Sequence, residues 1–331
     1  VLNEYFGGEL KMHPDALKDV TEFFQKRGRE LTDINRNQAL LPSACEFISN
    51  RQGTAPCMWF NQKETIWVSM PGVPFEMKAI MEQEILPRLQ KHFKTPVIVH
   101  KVIKNVGIGE SYLSEMIEDW ELNLPSHIKL AYLPSYGLVK LRLTAIGNDK
   151  EVLQSEIQNE IEKVMPLIEK YVFGYDQDEL EVVIGRTLKE KGLTVATAES
   201  CTGGYLGHKF TSVPGSSAYF LGGIMAYDNS IKINVLGVDQ DTLKEHGAVS
   251  EETIIQMADL VRKNFGSIFG IATSGIAGPD GGSPEKPVGT IWIAVSSPEG
   301  TISRKLTLGG SRLQNIQLTA ISCLDLLRKQ L

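Results

Sequence analysis

The spacing of apolar residues divides the chain into three blocks, which cover residues 1–93, 94–175 and 176–331. In the first block, apolar side chains at helical spacing predict helices over 14–29 and 75–93. The run 65–70 predicts a strand, and the rigid turn Pro71–Pro74 follows it. This block therefore has α/β character, with too few strands for an independent sheet.

The second block has a cleaner order of elements. The pattern predicts a strand, a helix, two strands joined by a tight turn, a long amphipathic helix and a short last strand. These elements cover 97–106, 109–120, 128–133, 138–146, 150–169 and 171–173. The order β-α-β-β-α-β predicts a ferredoxin-like α+β domain.

The third block alternates helices with apolar strands. Strands are predicted over 193–198, 220–227, 268–272, 289–295 and 302–308. Helices are predicted over 180–191, from the turn at Ser200 to about Phe210, and over 250–264 and 311–331. This alternation predicts one sheet with helices on both faces, so the whole chain is predicted to be a multidomain α/β protein.

Composition narrows the range of partners. The 331 residues are 42% hydrophobic and 22% charged, with a net charge of −6 and no basic cluster, so no nucleic-acid partner is expected. Four scattered cysteines suggest neither disulfides nor a zinc site, which favours a cytoplasmic protein. No apolar stretch could span a bilayer and no signal peptide opens the chain, so no membrane partner is expected. The chain begins at Val1 rather than Met, and we expect that a preceding segment is missing.

The densest chemistry lies in the string Thr197–Gly204, directly after an apolar run. A strand that breaks at Ser200 and then opens a helix presents a hydroxyl beside free backbone N–H groups. Such a turn suits either a nucleophile with its oxyanion hole or a cradle for a phosphate. The residues of the turn alone leave both alternatives open.

The best candidate base for Ser200 is Lys232, just beyond a predicted strand. Burial at the strand end would lower its pKa enough for it to accept a proton. Tyr227 could relay a proton or orient the amine. Taken alone, each of these two residues is more simply a solvated or anchoring side chain. Cys201 is a rival nucleophile, but no imidazole is evident beside it, and Ser200 is favoured.

Further glycine-rich segments in the third block could approach a ligand closely. The segment 272–282 follows a predicted strand, and ligands of α/β sheets gather at the ends of such strands. The segments 215–217 and 222–223 contain paired small residues. The candidate substrate-binding residues are Ser216, Gly222, Gly223, Thr273, Ser274, Gly275 and Arg312. Arg312 could clamp a phosphate through two N–H groups. No metal-ligand pattern is present, so a metal-free Ser/Lys hydrolase with an anion site accounts for the most features.

Several strings in the third block closely resemble the C-terminal domain of the competence/damage-inducible protein A (CinA) family. They are residues 197–204, 215–217, 246–250, 274–282 and 285–290, together with Tyr227 and Lys232. The resemblance implies a cofactor-free amidase that hydrolyses nicotinamide mononucleotide (NMN) to nicotinate mononucleotide and ammonia.

In that reaction the resemblance places the nucleophile on Ser200, the base on Lys232 and a supporting role on Tyr227. The backbone N–H groups of Thr202, Gly203 and Gly204 would hold the oxyanion. The glycine loops and Arg312 would hold the ribose phosphate. A non-catalytic nucleotide-binding module is the alternative, because the same turns bind phosphate without a nucleophile.

The first two blocks resemble the rest of the family's architecture. Residues 37–42, 53–56 and 70–77 are similar to the latter half of a three-layer molybdopterin-binding-like domain, and the middle block is similar to a small connecting domain. In the family, the first domain is associated with metal-dependent ADP-ribose pyrophosphatase activity. We expect this chain to lack that activity, because the glycine-rich loop it needs would precede Val1. We also expect the incomplete first block to lean on the middle block or on a second subunit, and a homodimer is the expected assembly.

Overall fold

A computed structural model describes all 331 residues, and the chain divides into two compact units, Val1–Pro96 and Val97–Leu331. The first unit contains five α-helices: α1 Leu2–Phe6, α2 Pro14–Gln25, α3 Asp33–Arg36, α4 Pro74–Ile80 and α5 Leu86–His92. Its strands are β1 Leu10–Met12, β2 Leu40–Pro42, β3 Glu46–Ile48, β4 Cys57–Gln62 and β5 Thr65–Ser69.

Two small antiparallel sheets organise this unit, a β1–β2 pair and a β3-β4-β5 meander. The meander packs on the α4–α5 segment through Trp59, Ile80 and Ile85. The strand predicted at 65–70 is confirmed. The helix predicted over 75–93 is interrupted by a π-helical segment at Met81–Ile85, where the backbone widens by one residue.

The second unit begins with a four-stranded antiparallel sheet. Its elements are β6 Val97–Val106, α6 Glu110–Leu122, β7 Ile128–Ser135, β8 Leu138–Gly147, α7 Lys150–Ile168 and β9 Val172–Tyr175. The strand order is β7-β8-β6-β9, and apolar faces of α6 and α7 close the core over this sheet. The predicted ferredoxin-like order of elements is confirmed.

A five-stranded mixed sheet forms the rest of the second unit. Its strands are β10 Val195–Glu199, β11 Phe220–Met225, β12 Phe269–Gly275, β13 Thr290–Ser297 and β14 Gly300–Thr307. The helices are α8 Leu180–Glu190, α9 Tyr205–Thr211, α10 Asn229–Ile231, α11 Gln240–His246, α12 Glu251–Phe265 and α13 Arg312–Arg328. The strand order is β11-β10-β12-β13-β14, with β11, β10 and β12 parallel to one another.

Helices cover both faces of this sheet, as predicted, and the multidomain α/β class is confirmed. Apolar side chains of α8, α9 and α13 pack on one face, and those of α12 pack on the other. Because β10, β11 and β12 are parallel, their carboxyl ends meet at one edge, the usual ligand edge of such sheets. No helix of the chain is long and apolar enough to cross a membrane.

The last helix, α13, also contacts the four-stranded sheet of the same unit. Near its start, the Gln314 side chain donates to the hydroxyl of Tyr136 at 3.0 Å. Near its end, Arg328 donates to the carbonyl of Lys170 at 2.7 Å and is held by the buried carboxylate of Asp325. One helix thus joins the two sheets of this unit.

Candidate active site

Ser200 lies at the carboxyl end of β10, in the turn that leads to α9. Its N–H donates to the carbonyl of Thr273 on β12 at 2.9 Å, and its own carbonyl accepts from Gly203 at 3.1 Å. Gly203 and Gly204 have φ values of 58° and 96°, a left-handed conformation that favours glycine. The paired glycines therefore allow the chain to reverse and fix Ser200 at the ligand edge of the sheet.

Lys232 reaches Ser200 from the segment that follows β11. It begins a π-helical turn, Lys232–Leu236, after the short helix α10, in which the Asp228 carboxylate accepts from the N–H of Ser230. Its Nζ lies 3.3 Å from Ser200 Oγ, 2.8 Å from the carbonyl oxygen of Ala226 and 3.2 Å from that of Tyr227. The sequence-based pairing of Ser200 with Lys232 therefore corresponds to a direct contact.

The burial of Lys232 shifts its ionisation toward the neutral form. The side chain is 1% exposed, and this burial lowers the pKa of the amine, while the carboxylate of Asp228 acts in the opposite direction. A neutral amine has two N–H donors and one lone pair. The two carbonyls can take both donors, which leaves the lone pair directed at the hydroxyl of Ser200. The geometry is that of a general base beside a nucleophile.

Cys201 is placed differently from Ser200. Its thiol is 5% exposed, and burial raises its pKa to about 12. The thiolate is the nucleophilic form of cysteine, so this thiol is held in its unreactive state at neutral pH. The preference for Ser200 over Cys201 is supported by this difference.

Glu199, the residue before Ser200, is a buried carboxylate whose role was not predicted from the sequence. Its Oε2 accepts from the Thr202 hydroxyl at 2.7 Å and from the N–H groups of Gly204 and Leu206 at 3.0 Å each. Its Oε1 accepts from the N–H of Gly207 at 2.7 Å. An acid just before a helix start satisfies the free N–H groups there and is favoured by the helix dipole. The position of Glu199 directly before the glycine turn is the sequence feature from which this role could have been predicted.

These contacts correct the predicted oxyanion hole. The N–H of Gly204 donates to Glu199, and that of Gly203 donates to the Ser200 carbonyl, so neither is available to a substrate. Of the three predicted donors only Thr202 has an N–H that donates to no oxygen of the protein, and the N–H of Cys201 likewise donates to no oxygen. The usable donors are therefore the two residues directly after Ser200.

Tyr227 and Arg312 meet in a way that the sequence did not predict. The Tyr227 hydroxyl accepts from Arg312 Nη2 at 3.0 Å, whereas the backbone carbonyl of Tyr227 contacts Lys232. Arg312 Nη1 donates to the carbonyl of Gly278 at 2.8 Å. The phenol is thus engaged with Arg312, and the part of Tyr227 that orients the Lys232 amine is its main chain.

Thr273, Ser274 and Gly275 lie at the same sheet edge as Ser200. Thr273 pairs with Glu199 across β10 and β12, and its Oγ1 lies 2.7 Å from that of Thr202. The Ser274 hydroxyl donates to the carbonyl of Ala248 at 2.5 Å. A side chain at Gly275 would overlap Ile291. These three residues therefore support the site from within the sheet, and the hydroxyls of Thr273 and Ser274 are already hydrogen-bonded.

Ser216, Gly222 and Gly223 are not brought to Ser200 within one chain. Ser216 precedes β11, whose first residue, Phe220, pairs with Val195 at the amino end of β10. The length of β10, about 16 Å, therefore separates the level of Ser216 from that of Ser200. Ser216 therefore does not meet Ser200 within one chain, because the turn before a parallel strand lies at the opposite edge from the turn after it, whereas Gly222 and Gly223 lie within β11 beside Ala196 and Thr197.

The two glycines in β11 have a packing explanation instead. A Cβ at Gly222 would lie 2.9 Å from the ring of Phe265 on α12, and one at Gly223 would overlap the Thr197 hydroxyl. These positions allow α12 and β10 to approach β11 closely.

The chain matches two protein-family models. Residues 177–331 match the CinA C-terminal domain, and residues 100–174 match the damage-inducible protein CinA KH domain. A CinA-like protein of Cytophaga hutchinsonii is 51% identical over 327 residues, which cover 99% of this chain and 78% of the relative. A CinA-like protein of Flavobacterium psychrophilum is 44% identical over 332 residues, which cover 100% of this chain and 79% of the relative.

A solved structure of the competence/damage inducible protein CihA from Agrobacterium tumefaciens is also similar. It is 35% identical, covers 46% of this chain and 96% of its own, and superimposes with a TM-score of 0.44.

Proposed function

This chain belongs to the CinA family of competence/damage-inducible proteins, and we propose that it hydrolyses the carboxamide of NMN to nicotinate mononucleotide and ammonia. The observation that carries the reaction type is the 3.3 Å contact between Lys232 Nζ and Ser200 Oγ at the ligand edge of the sheet. The substrate is inferred from the resemblance of the strings around Ser200 and Ser274 to the family's amidase domain. The reaction would serve pyridine-nucleotide salvage in the cytoplasm.

The first step is attack of Ser200 Oγ on the carboxamide carbon. Lys232 accepts the hydroxyl proton through the lone pair that the carbonyls of Ala226 and Tyr227 direct toward it. Because Lys232 is almost fully buried, the amine need not shed a water shell before it reacts. The products of this step are a tetrahedral intermediate and a protonated Lys232.

The oxyanion of that intermediate would be bound by the N–H groups of Cys201 and Thr202. One preorganised donor of this kind typically stabilises the transition state by about 3 kcal/mol. The turn that carries these two N–H groups is held in place by the hydrogen bonds that Glu199 accepts from Thr202, Gly204, Leu206 and Gly207. Glu199 thus acts as a positioning residue for the oxyanion donors.

In the second step, protonated Lys232 gives its proton to the nitrogen of the carboxamide, and ammonia leaves. The C–N bond breaks and an ester between Ser200 Oγ and the nicotinoyl group remains. Water, deprotonated by the neutral Lys232, attacks this ester and releases the carboxylic acid. Lys232 returns the proton to Ser200, so the enzyme is unchanged after one turnover.

The phosphate of NMN would be held by Arg312. Two of its N–H groups are used by Gly278 and Tyr227, which fix the plane of the guanidinium. The guanidinium has five N–H donors, so three remain for a phosphate. Arg312 is exposed, so a ligand can reach it from solvent.

The proposal is tested by measuring ammonia released from NMN by the full chain, with nicotinamide and NAD as comparison substrates. We expect Ser200→Ala to lower kcat by a factor on the order of 10³ or more, and the buried Cys201→Ala to retain most of the activity. Full activity in Ser200→Ala would exclude the serine mechanism. NMN binding without ammonia release would instead favour a nucleotide-binding module, and metal-dependent release of AMP from ADP-ribose would favour a pyrophosphatase.

A further inference from the structure

The domain built on the four-stranded sheet separates positive from negative charge. Every acidic residue between positions 97 and 175 lies on α6, on α7 or on a residue that caps α7, and none lies on a strand. The strands of the sheet contain only basic residues among their Lys, Arg, Asp and Glu positions. These residues are Lys101, Lys104, Lys129, Lys140 and Arg142.

Most of these basic side chains lie on the face of the sheet that α6 and α7 do not cover. The side chains that pack against the two helices, such as Ile103 and Leu141, alternate along each strand with those of the opposite face. We call this opposite face the basic face. Its residues are Ile98, His100, Val102, Lys104, Lys129, Ala131, Leu133, Lys140, Arg142, Thr144 and Ile146.

Three charges on the basic face have no counter-charge within the chain. Lys104 is buried and is paired with Glu179 at 2.9 Å, whereas Lys129, Lys140 and Arg142 form no ion pair. The Nε atom of Arg142 is also buried without a hydrogen-bond partner. Like charges side by side destabilise a sheet, and Lys104 lies directly opposite Lys140. A negatively charged partner would relieve this repulsion.

Apolar side chains lie among these charges. Ile98 and Ile146 are neighbours across β6 and β8 and are 54% and 45% exposed, and Leu133 on β7 is 38% exposed. At the other end of the same face, Val106 and Leu138 pack in the core of the five-stranded sheet. The basic face is therefore open beyond that end, and it combines apolar with positively charged side chains.

We propose that the basic face binds an amphipathic α-helix of another protein, in which Asp and Glu residues flank an apolar stripe. The covered face of the same sheet already accepts two helices through apolar stripes that include Ile117 and Ile157. On β8, Lys140 and Arg142 lie about 7 Å apart, since they are two residues apart on one face. Acidic residues four positions apart on a helix are separated by about 5–6 Å, so two of them can meet these two cations.

Two other partners complement the basic face less well. A single nucleic-acid strand is held by cations together with aromatic side chains on which its bases stack, and the basic face has no Phe, Tyr or Trp. A second copy of this chain could offer the acidic residues of α6 and α7. That contact would join two different surfaces, so it would continue into a ring or an open filament. The observations thus favour a helix of a different protein.

The test measures binding of two fluorescein-labelled synthetic peptides to the full chain by fluorescence anisotropy. Both peptides have about 20 residues, enough for a helix of about 30 Å, with Leu at helical spacing. The other positions are Glu in one peptide and Lys in the other. The chains compared are the wild type, the double variant Lys129→Glu/Arg142→Glu and the control Lys150→Glu. Lys150 is exposed like Lys129, but it lies on α7.

We expect the glutamate peptide to bind the wild type and Lys150→Glu equally well. The double variant should bind it at least about 10-fold more weakly, because two attractive contacts become repulsive. Ile146→Ser should also weaken binding, since the apolar stripe loses part of its contact. The lysine peptide should not bind. Circular dichroism checks that each variant is folded, and Lys129→Gln/Arg142→Gln replaces the double variant if it is not.

A wild type that does not bind the glutamate peptide, or a double variant that binds it as well as the wild type, would overturn the proposal. Tighter binding of a labelled oligothymidylate, lost in the double variant, would assign the basic face to nucleic acid instead. A mass that grows with concentration in light scattering for the wild type, but not for the double variant, would assign it to a second copy. None of these measurements depends on the proposed amidase activity.

Discussion

The hydroxyl of Tyr227 accepts a hydrogen bond from Arg312 at 3.0 Å, while the carbonyl of the same tyrosine accepts one from Lys232 at 3.2 Å. One residue therefore connects the guanidinium proposed to bind phosphate with the amine proposed to act as base. Because the two contacts use different parts of Tyr227, substitutions can separate substrate binding from proton transfer.

Arg312→Ala should weaken binding of NMN more than it slows turnover. A hydrogen bond to a charged group contributes about 1.5–3 kcal/mol, so we expect KM for NMN to rise on the order of 10-fold to 100-fold with a smaller change in kcat. Steady-state ammonia release measures both constants. Leu313→Ala is the control, since Leu313 is the next residue and is 72% exposed. An equal loss in the two variants would show that Arg312 does not bind the substrate.

The pH dependence should report the ionisation of Lys232. The base must be neutral, so kcat/KM for NMN should rise with pH and level off above the pKa of Lys232, which burial holds below its ordinary value of 10.5. The negative charge of Asp228 stabilises the protonated amine and raises this pKa. Asp228→Asn keeps a helix-capping side chain but removes the charge, so we expect the rising limb to move to lower pH.

The control for this experiment is Asp241→Asn, an exposed carboxylate in the first turn of α11. Its profile should coincide with that of the wild type. A shift of the Asp228→Asn profile to higher pH would mean that the titrating group is not an amine next to this carboxylate.

Glu199→Gln should destabilise the fold as well as the site. The carboxylate accepts hydrogen bonds from three backbone N–H groups and from the hydroxyls of Thr202 and, at 3.5 Å, Thr197, and the amide nitrogen of glutamine cannot accept any of them. At least one buried N–H loses its acceptor, so we expect a loss of about 2–4 kcal/mol in the free energy of unfolding. Urea titration followed by fluorescence measures it, with the exposed Glu245→Gln as the control. A loss as small as that of the control would contradict the structural role given to Glu199.

Gly223→Ala tests whether the β11 glycines are needed for packing. The added Cβ would overlap the Thr197 hydroxyl and lie 2.9 Å from the Thr197 carbonyl oxygen, so we expect a destabilisation of about 1–3 kcal/mol. Gly309→Ala, where a Cβ would meet no atom within 4 Å, should change stability little. Thermal unfolding compares the two. If Gly223→Ala is as stable as Gly309→Ala but fails to bind NMN, the glycine contacts the substrate instead.

Much of this architecture could be predicted because the signals are local. The strand before Ser200 was predicted over 193–198 and is found at Val195–Glu199, since an apolar run between Gly192 and the glycine turn leaves little else possible. The contact of Lys232 with Ser200 was also anticipated. Both residues follow strands, and parallel neighbours place such residues at one edge.

The remaining features depend on information that a single sequence does not carry locally. Ser216 was assigned to the site because small polar residues suit a ligand, but the order and direction of β10 and β11 place it at the other edge. The Tyr227–Arg312 bond joins residues 85 positions apart and is set by how α13 packs. The hydrogen bond from the Gly204 N–H to Glu199 depends on the rotamer of the Glu199 side chain.

Helix α13 begins at Arg312, beside the proposed phosphate site, and its last turn contains Arg328, which donates to the carbonyls of Lys170 and of Val172 on β9 of the four-stranded sheet. Its 17 residues span about 25 Å as one stiff rod. Any molecule that tilts this rod by binding the four-stranded sheet would also displace the guanidinium of Arg312. By thermodynamic reciprocity, nucleotide bound at Arg312 would then alter the affinity of that distant surface for its ligand.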